Sequence, residues 1–359
     1  MSYRTPISRY AFINAKLQAR IGKLLPQQVI DSLIRSKSVE QLLHHLEHTV
    51  YAPLDEIYQE FGDVQALEAF IFQRNITIHR EVASALDPDY RKCIIAMNRK
   101  AEVENLKSMI RLYFSNTIKG QNIDYRLAYL YQKQIVDEID WLQIANAANF
   151  DQVKEALSRS IYHEAVSGFD DDKLRENGLF TLEITLDKVR GKELRNQLQR
   201  LSRGDRKILR SILDRDADLK NIINIFRYSS SYHLPNETLE TLLFEGGTIY
   251  HSKELRDFLL LEEAKRSPFV LLEDTYPAAA RRLKEMEIKD LPGQLVELEN
   301  YLFASRKEEF SSLLRRDPFS IGIILSYFFL EERQDNLVKT IINGVHYQLS
   351  TSRIRELAL

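Results

Sequence analysis

Cysteine is almost absent: Cys93 is the only one in 359 residues. A lone thiol excludes an internal disulfide and fits a reducing compartment, so the chain is expected in the cytoplasm. Glycine (12) and proline (9) are also scarce, which is little material for an enzyme built on nucleotide loops. Neither G-x-x-x-x-G-K-[ST] nor G-x-G-x-x-G occurs. H-E-x-x-H, G-x-S-x-G and C-x-x-C are missing too, and His163-Glu164 lacks the second zinc-binding His. Long apolar runs are absent. The longest, Ile321 to Leu330, is too short to span a bilayer, and the opening MSYRTPISRYAFINAK has no h-region, so neither a transmembrane helix nor a signal peptide is expected. No charge dominates either: 50 Lys and Arg face 52 Asp and Glu, a net of −2. Nucleic acid is thereby excluded as the main partner, because phosphate neutralisation needs a basic excess.

What is present is one helix written three times. The copies are AEVENLKSMIR (Ala101 to Arg111), ADLKNIINIFR (Ala217 to Arg227) and ERQDNLVKTII (Glu332 to Ile342). Aligned on Asn105, Asn221 and Asn336 they recur at 116 and 115 residues, an interval too regular for chance. Asp87-Pro88 and Asp317-Pro318 stand ahead of the first and third copies, and Ser202 or Asp205 ahead of the second. Each is a helix-start signal, since Pro at the first helical position loses only an N–H that would be orphaned there. Start and stop signals predict helices of roughly 28 residues, about 40 Å long. A partner helix precedes each, at Leu67-Glu68, Leu182-Glu183 and Leu298-Glu299. The unit is a long antiparallel hairpin closed by a short helix such as Pro235 to Leu243.

Tyr10 to Gly22 reads as the second half of another hairpin, followed by short helices at Gln27–Arg35 and Val39–His48. The amino terminus thus resembles the tail of a repeat whose head lies at the carboxyl terminus. Three hairpins closed by the termini predict an all-α, pseudo-threefold ring within a single body, 1–359. Its approximate subdomains are 1–63 with 317–359, 64–180, and 181–316. Phe180 to Asp187 (FTLEITLD) alternates like a strand, but its place in the repeat predicts helix. Glu245 to Ser252 (EGGTIYHS) is a loop around the chain's only Gly-Gly turn.

No residues present themselves as catalytic, cofactor-binding or metal-binding. His44 and His48 share a helix face but read as solvated histidines, and Asp170-Asp171-Asp172 lacks EF-hand spacing and reads as a helix cap. Asp214, Asp216 and Asp218 spread around a helix and cannot converge on one ion. An Asn in a helix interior is a poor local choice, so its recurrence asks for a tertiary reason. Either Asn105, Asn221 and Asn336 hydrogen-bond across the hairpins while Arg111 and Arg227 pair with carboxylates, or these polar faces line an opening that receives another protein. The candidate partner-binding residues are Asn105, Lys107, Arg111, Asn221, Arg227, Asn336 and Lys339.

The opening YAFINAKLQARIGKLLPQQVIDSLI, with Asn14-Ala15-Lys16 and Arg20, resembles the start of the C subunit of the A-type and V-type ATP synthases, known as the d subunit in eukaryotic vacuolar ATPases. Lys16 stands where that family has Arg. The three Asn-Leu/Ile helices resemble the family's E-x-x-N-L/I-K-x-I-x-R element, with Glu102 or Asp218 and Arg111 or Arg227 in the first two copies and Ile342 in place of Arg in the third. The likeness runs over nearly the whole chain, with insertions at Asn122 to Gly168 and Phe269 to Leu291. It implies a non-catalytic, funnel-shaped rotor component of three similar subdomains, peripheral to the membrane on its cytoplasmic side. One end would sit on the proteolipid (c/K) ring and the other would receive the central-stalk D and F subunits, coupling proton or sodium transport to ATP chemistry. It implies no cofactor. Two rivals stand beside it. A generic helical-repeat adaptor would need repeats far shorter than these. An all-helical enzyme would need carboxylates such as Glu102 with Asp218.

Overall fold

A computed structural model of the protein describes residues 5–121, 130–231, 240–261, 271–273, 275–285 and 291–358. Every regular element among them is helical and no strand occurs. The chain divides into two compact units: Met1–His163 together with Asp317–Leu359, and Glu164–Arg316.

The first unit opens with α1 (Pro6–Ile21), α2 (Gln27–Arg35), α3 (Val39–His44) and α4 (Pro53–Phe61). Thr5 starts α1 by accepting a hydrogen bond from the Ser8 N–H at 3.2 Å, with Pro6 at the first helical position. α5 (Val64–Ser84) turns back into α6 (Pro88–Met97) and α7 (Arg99–Tyr113), which ends in a π-helical turn, Phe114–Ile118. Two short helices, α8 (Trp141–Ala145) and α9 (Phe150–Ala156), follow.

The second unit holds α10 (Asp171–Asn177), α11 (Phe180–Leu198), α12 (Arg203–Ser231), α13 (Lys253–Leu260), α14 (Pro277–Glu285) and α15 (Leu291–Arg316). Its core gathers Ile184 of α11, Ile222 and Ile225 of α12, Phe258 of α13 and Leu283 of α14. The chain then re-enters the first unit as α16 (Gly322–His346) and α17 (Thr351–Ala358). α16 packs on α1, α2, α3 and α5. Its Val338, Ile341 and Ile342 join Leu33, Leu42, Leu67 and Ile71 in one core, and each such side chain contributes about 1.5–3 kcal/mol on burial.

The FTLEITLD stretch is helical, the start of α11. Leu182 and Leu186 share one face and Ile184 lies on the opposite one, and all three are buried. A helix covered on two sides shows the alternation that otherwise marks a strand.

The start signals fare unevenly. Ser202 begins α12 as read: its Oγ accepts from the Asp205 N–H (3.3 Å) and donates to Asp205 Oδ2 (2.7 Å), giving an uninterrupted 29-residue helix. The first copy is not one long helix. It breaks at Asn98, a buried residue whose amide donates to the Ile76 carbonyl at 3.4 Å. Asp87 does not cap α6, because its carboxylate accepts instead from Arg9 Nε at 3.0 Å. In the third copy residues 317–321 form a turn, with Ser320 Oγ donating to the Asp317 carbonyl (2.9 Å) and accepting from the Gly322 N–H (3.1 Å). The helix therefore begins at Gly322 rather than Pro318. The closing helix read at Pro235 to Leu243 and the stretch 269–291 each lie partly outside the described residues.

Candidate functional site

The polar face of each repeated helix is organised by a buried carboxylate. In the first copy this is Glu102 of α7, which is 0 % exposed. Its Oε2 accepts from the backbone N–H groups of Val136 (2.7 Å) and Asp137 (2.6 Å). Its Oε1 accepts from the Tyr162 hydroxyl and from Arg99 Nη1, each at 3.0 Å. Arg99 in turn grips Asp137 with both terminal nitrogens at 2.8 Å. Burial pushes the Glu102 carboxyl above its ordinary range, against the pull of the Asp137 N–H and of Arg99.

The second copy repeats the arrangement within the second unit. Asp218 of α12 accepts from the Thr248 N–H (3.0 Å), the Ile249 N–H (2.8 Å) and the Tyr276 hydroxyl (2.8 Å). Burial raises this carboxyl as well. The Gly-Gly turn makes the approach possible. Gly247 sits at φ +80°, and a Cβ there would overlap Asp218 Oδ1, so a side chain would push the loop off the carboxylate.

The third copy draws its partners from the amino-terminal segment. Asp335 of α16 accepts from the Tyr51 hydroxyl at 2.6 Å and from Arg74 Nη1 at 2.9 Å. Glu331 accepts from Arg74 Nη2 at 2.7 Å. Two carboxylates share one guanidinium, and Asp335 Oδ2 is buried without a partner. Burial pushes the Asp335 carboxyl up to about 6, although Arg74 and the Tyr51 hydrogen bond pull it down. Glu102, Asp218 and Asp335 recur at 116 and 117 residues, and each takes a tyrosine hydroxyl.

That register explains the repeated asparagines. Asn105 and Asn221 follow their carboxylates by three residues, one helical turn on the same face. Asn105 Nδ2 donates to the Tyr131 carbonyl at 2.8 Å. Asn221 is fully buried, donating to the Phe244 carbonyl (3.0 Å) and accepting from the Phe244 N–H (2.7 Å). Both hold the segment that follows the helix, not the partner helix across the hairpin. The equivalent place after Asp335 is Val338, while Asn336 is exposed. Gln334 does the corresponding work, accepting from the Leu25 N–H at 2.6 Å and donating to Tyr51 Oη at 3.2 Å. Sequence reading therefore set the third copy on the wrong residue. The signal that locates it is the carboxylate, together with Tyr162, Tyr276 and Tyr51.

Beside the first of these clasps, α5, α7 and the end of α16 enclose an open groove of about 1290 Å³ within the first unit. Three of the candidate partner-binding residues line it: Asn105, Arg111 and Lys339. Phe61 and Tyr347 border it with 58 % and 69 % of their surface exposed, so apolar area and charge alternate along it. Lys107 is buried and faces elsewhere. The Asn221 amide spends both its atoms on Phe244 and has none for a partner. The side chain of Arg227 lies outside the described residues. Among the described residues no group of three or more His, Cys, Asp or Glu is placed to hold a metal ion, and no helix is long and apolar enough to cross a membrane.

Comparison with known proteins gives one consistent result. A family model described as ATP synthase (C/AC39) subunit matches residues 13–357. The A-type ATP synthase C subunit of Methanococcoides burtonii is 21% identical over 356 residues, covering 97% of this chain and 93% of the relative. The protein of the same name in Methanocaldococcus jannaschii is 23% identical, covering 98% and 87%, and that of Thermococcus onnurineus is 22% identical, covering 97% and 89%.

Proposed function

Because the chain belongs to the ATP synthase (C/AC39) subunit family, where it is a structural and not a catalytic component, we propose that it works as a socket in the rotor of an A-type ATP synthase. In this reading it receives the central-stalk D and F subunits and rests on the proteolipid (c/K) ring, peripheral to the cytoplasmic face of the membrane. It corresponds to the d subunit of the eukaryotic vacuolar enzyme. Its task is to carry torque between proton or sodium movement and ATP chemistry done by other subunits.

The observation that carries this reading is the carboxylate–tyrosine clasp made three times, with the third closed by the amino-terminal segment. A helix near the carboxyl end completes its clasp with Leu25 and Tyr51, as the first two copies do with residues downstream of them. That circular pattern supports a closed pseudo-threefold funnel of subdomains 1–63 with 317–359, 64–180, and 181–316. Buried clasps suit a part that transmits load, because close-packed interiors deform little. We assign the groove at Asn105, Arg111 and Lys339 to the stalk, since its mix of exposed aromatics and charge is that of a protein-binding surface. Asn336, exposed on α16, is a further candidate contact.

The test is genetic and biochemical together. Removing the chain from its assembly should leave ATP hydrolysis by the soluble sector intact but disconnect it from ion pumping. Ion pumping that stays coupled to hydrolysis without this chain rules the socket out.

A further inference from the structure

In the second unit, the first turns of α12 carry cations that the Asp218 clasp does not use. Arg203, Lys207 and Arg210 are exposed and spaced i, i+4, i+7 along one helix face. None of the three has a hydrogen-bond or ion-pair partner among the described residues. They border a concave pocket of about 600 Å³, the size of a small-molecule site. Ser211, Thr248 and Thr275 line the same pocket.

The local charge is not cancelled. The two acids in the wall are already engaged: Asp214 accepts from Arg195 Nη1 at 2.6 Å and from the Gly247 N–H at 3.2 Å, and Asp218 is filled by its clasp. Two further cations stiffen the wall. Arg206 Nη2 donates to the Gln199 and Leu201 carbonyls (2.9 and 3.1 Å), and Arg215 Nη1 to Glu309 at 3.0 Å. Among the described residues, three free cations therefore face one concavity in a chain whose charges otherwise balance.

We propose that this pocket binds a phosphorylated ligand, with Arg203, Lys207 and Arg210 holding its phosphate oxygens and the Ser211, Thr248 and Thr275 hydroxyls its remaining polar atoms. Guanidinium forks match the paired oxygens of a phosphate, and hydroxyls extend the donor set. A protein partner would call for a flatter surface with aromatic anchors. Among the described residues the only aromatic ring here, Tyr276, spends its hydroxyl on Asp218. The phosphate comes from a soluble metabolite or from a phospholipid headgroup, and the same cations serve either.

The full chain is titrated calorimetrically with sodium pyrophosphate and floated with phosphatidylcholine vesicles made with and without phosphatidic acid. The measurements are repeated on Arg203→Ala/Lys207→Ala/Arg210→Ala and on a control with the same charge loss elsewhere on the second unit, Lys253→Ala/Arg256→Ala/Arg281→Ala. All six residues are exposed, and matching thermal unfolding curves verify that each variant folds. Binding should weaken about tenfold or more in the first variant, the effect of losing charge-assisted hydrogen bonds, and hold in the control. Pyrophosphate binding alone identifies a soluble ligand, binding to phosphatidic acid vesicles alone a headgroup, and both a site open to either. No binding to either probe, or equal weakening in both variants, overturns the proposal.

Discussion

The clasps in the two units solve one problem by different means. At Glu102 the buried charge is compensated by a cation, Arg99, which is itself anchored to Asp137. At Asp218 no cation touches the carboxylate among the described residues, and two backbone N–H groups and a tyrosine hydroxyl carry it. The first clasp is an ion-pair network, costly to break because two backbone N–H groups and a tyrosine hydroxyl lose their acceptor at once. The second is a hydrogen-bonded loop, and it depends on a glycine pair that lets the backbone come close. The same repeat position thus tolerates two electrostatic solutions.

The largest expected effect comes from breaking the first solution. Glu102→Ala leaves Arg99 with Asp137 alone and leaves the Val136 and Asp137 N–H groups and the Tyr162 hydroxyl unmet, so urea denaturation should show a loss of about 3–5 kcal/mol. Asp218→Asn, which strands no cation, should lose about 1–3 kcal/mol. Equal losses at the two sites would erase the distinction between them.

An intermediate effect separates the asparagines. Asn221→Ala removes a donor and an acceptor and leaves both polar groups of Phe244 buried and unmet, an expected loss of about 2–3 kcal/mol. Asn105→Ala removes one donor to Tyr131 and should lose about 1 kcal/mol. Asn336→Ala, at an exposed position, should leave the unfolding midpoint unchanged. A substantial loss at Asn336 would restore the asparagine register that the carboxylates replace.

The third clasp gives the most specific signal, one that depends on pH, because there two acids share Arg74. With the Asp335 carboxyl raised from its ordinary 3.8 to about 6, the folded chain holds a proton over that interval that the unfolded chain has released. Its stabilising contribution is therefore complete below the unfolded value and is lost as pH rises through about 6. Asp335→Asn imitates the protonated form. Its stability relative to the parent should rise by roughly 1–3 kcal/mol between pH 4 and pH 7, read from urea midpoints across that range.

Much of this was legible in the sequence, and the places where it was not have physical causes. The interval of the repeat, the helical class and the start of α12 follow from residues that act locally, such as the Ser202–Asp205 cap. The helical reading of Phe180 to Asp187 needed the repeat, because burial on two faces imitates a strand. The third register was misplaced because Asn336-Leu337 copies Asn105-Leu106 in letters, while the buried work there falls to Gln334 and Asp335. Asp87 could not be judged from its neighbourhood, since Arg9, 78 residues away, claims its carboxylate. The cluster of cations on α12 was readable as composition, but its facing a pocket was not, as Thr248 and Thr275 come from distant loops.

The pairing of Leu25 with Gln334 spans 309 residues, and it sets an order of events during synthesis. α2 and α3 leave the ribosome long before α16 exists, so Leu33, Leu42 and Leu43 stay without the covering surface that Val338 and Ile341 later provide. The Glu164–Arg316 unit can fold while its neighbour waits. The first unit matures only after translation has passed its last long helix, and chaperone occupancy on nascent chains should concentrate on that early leucine-rich stretch.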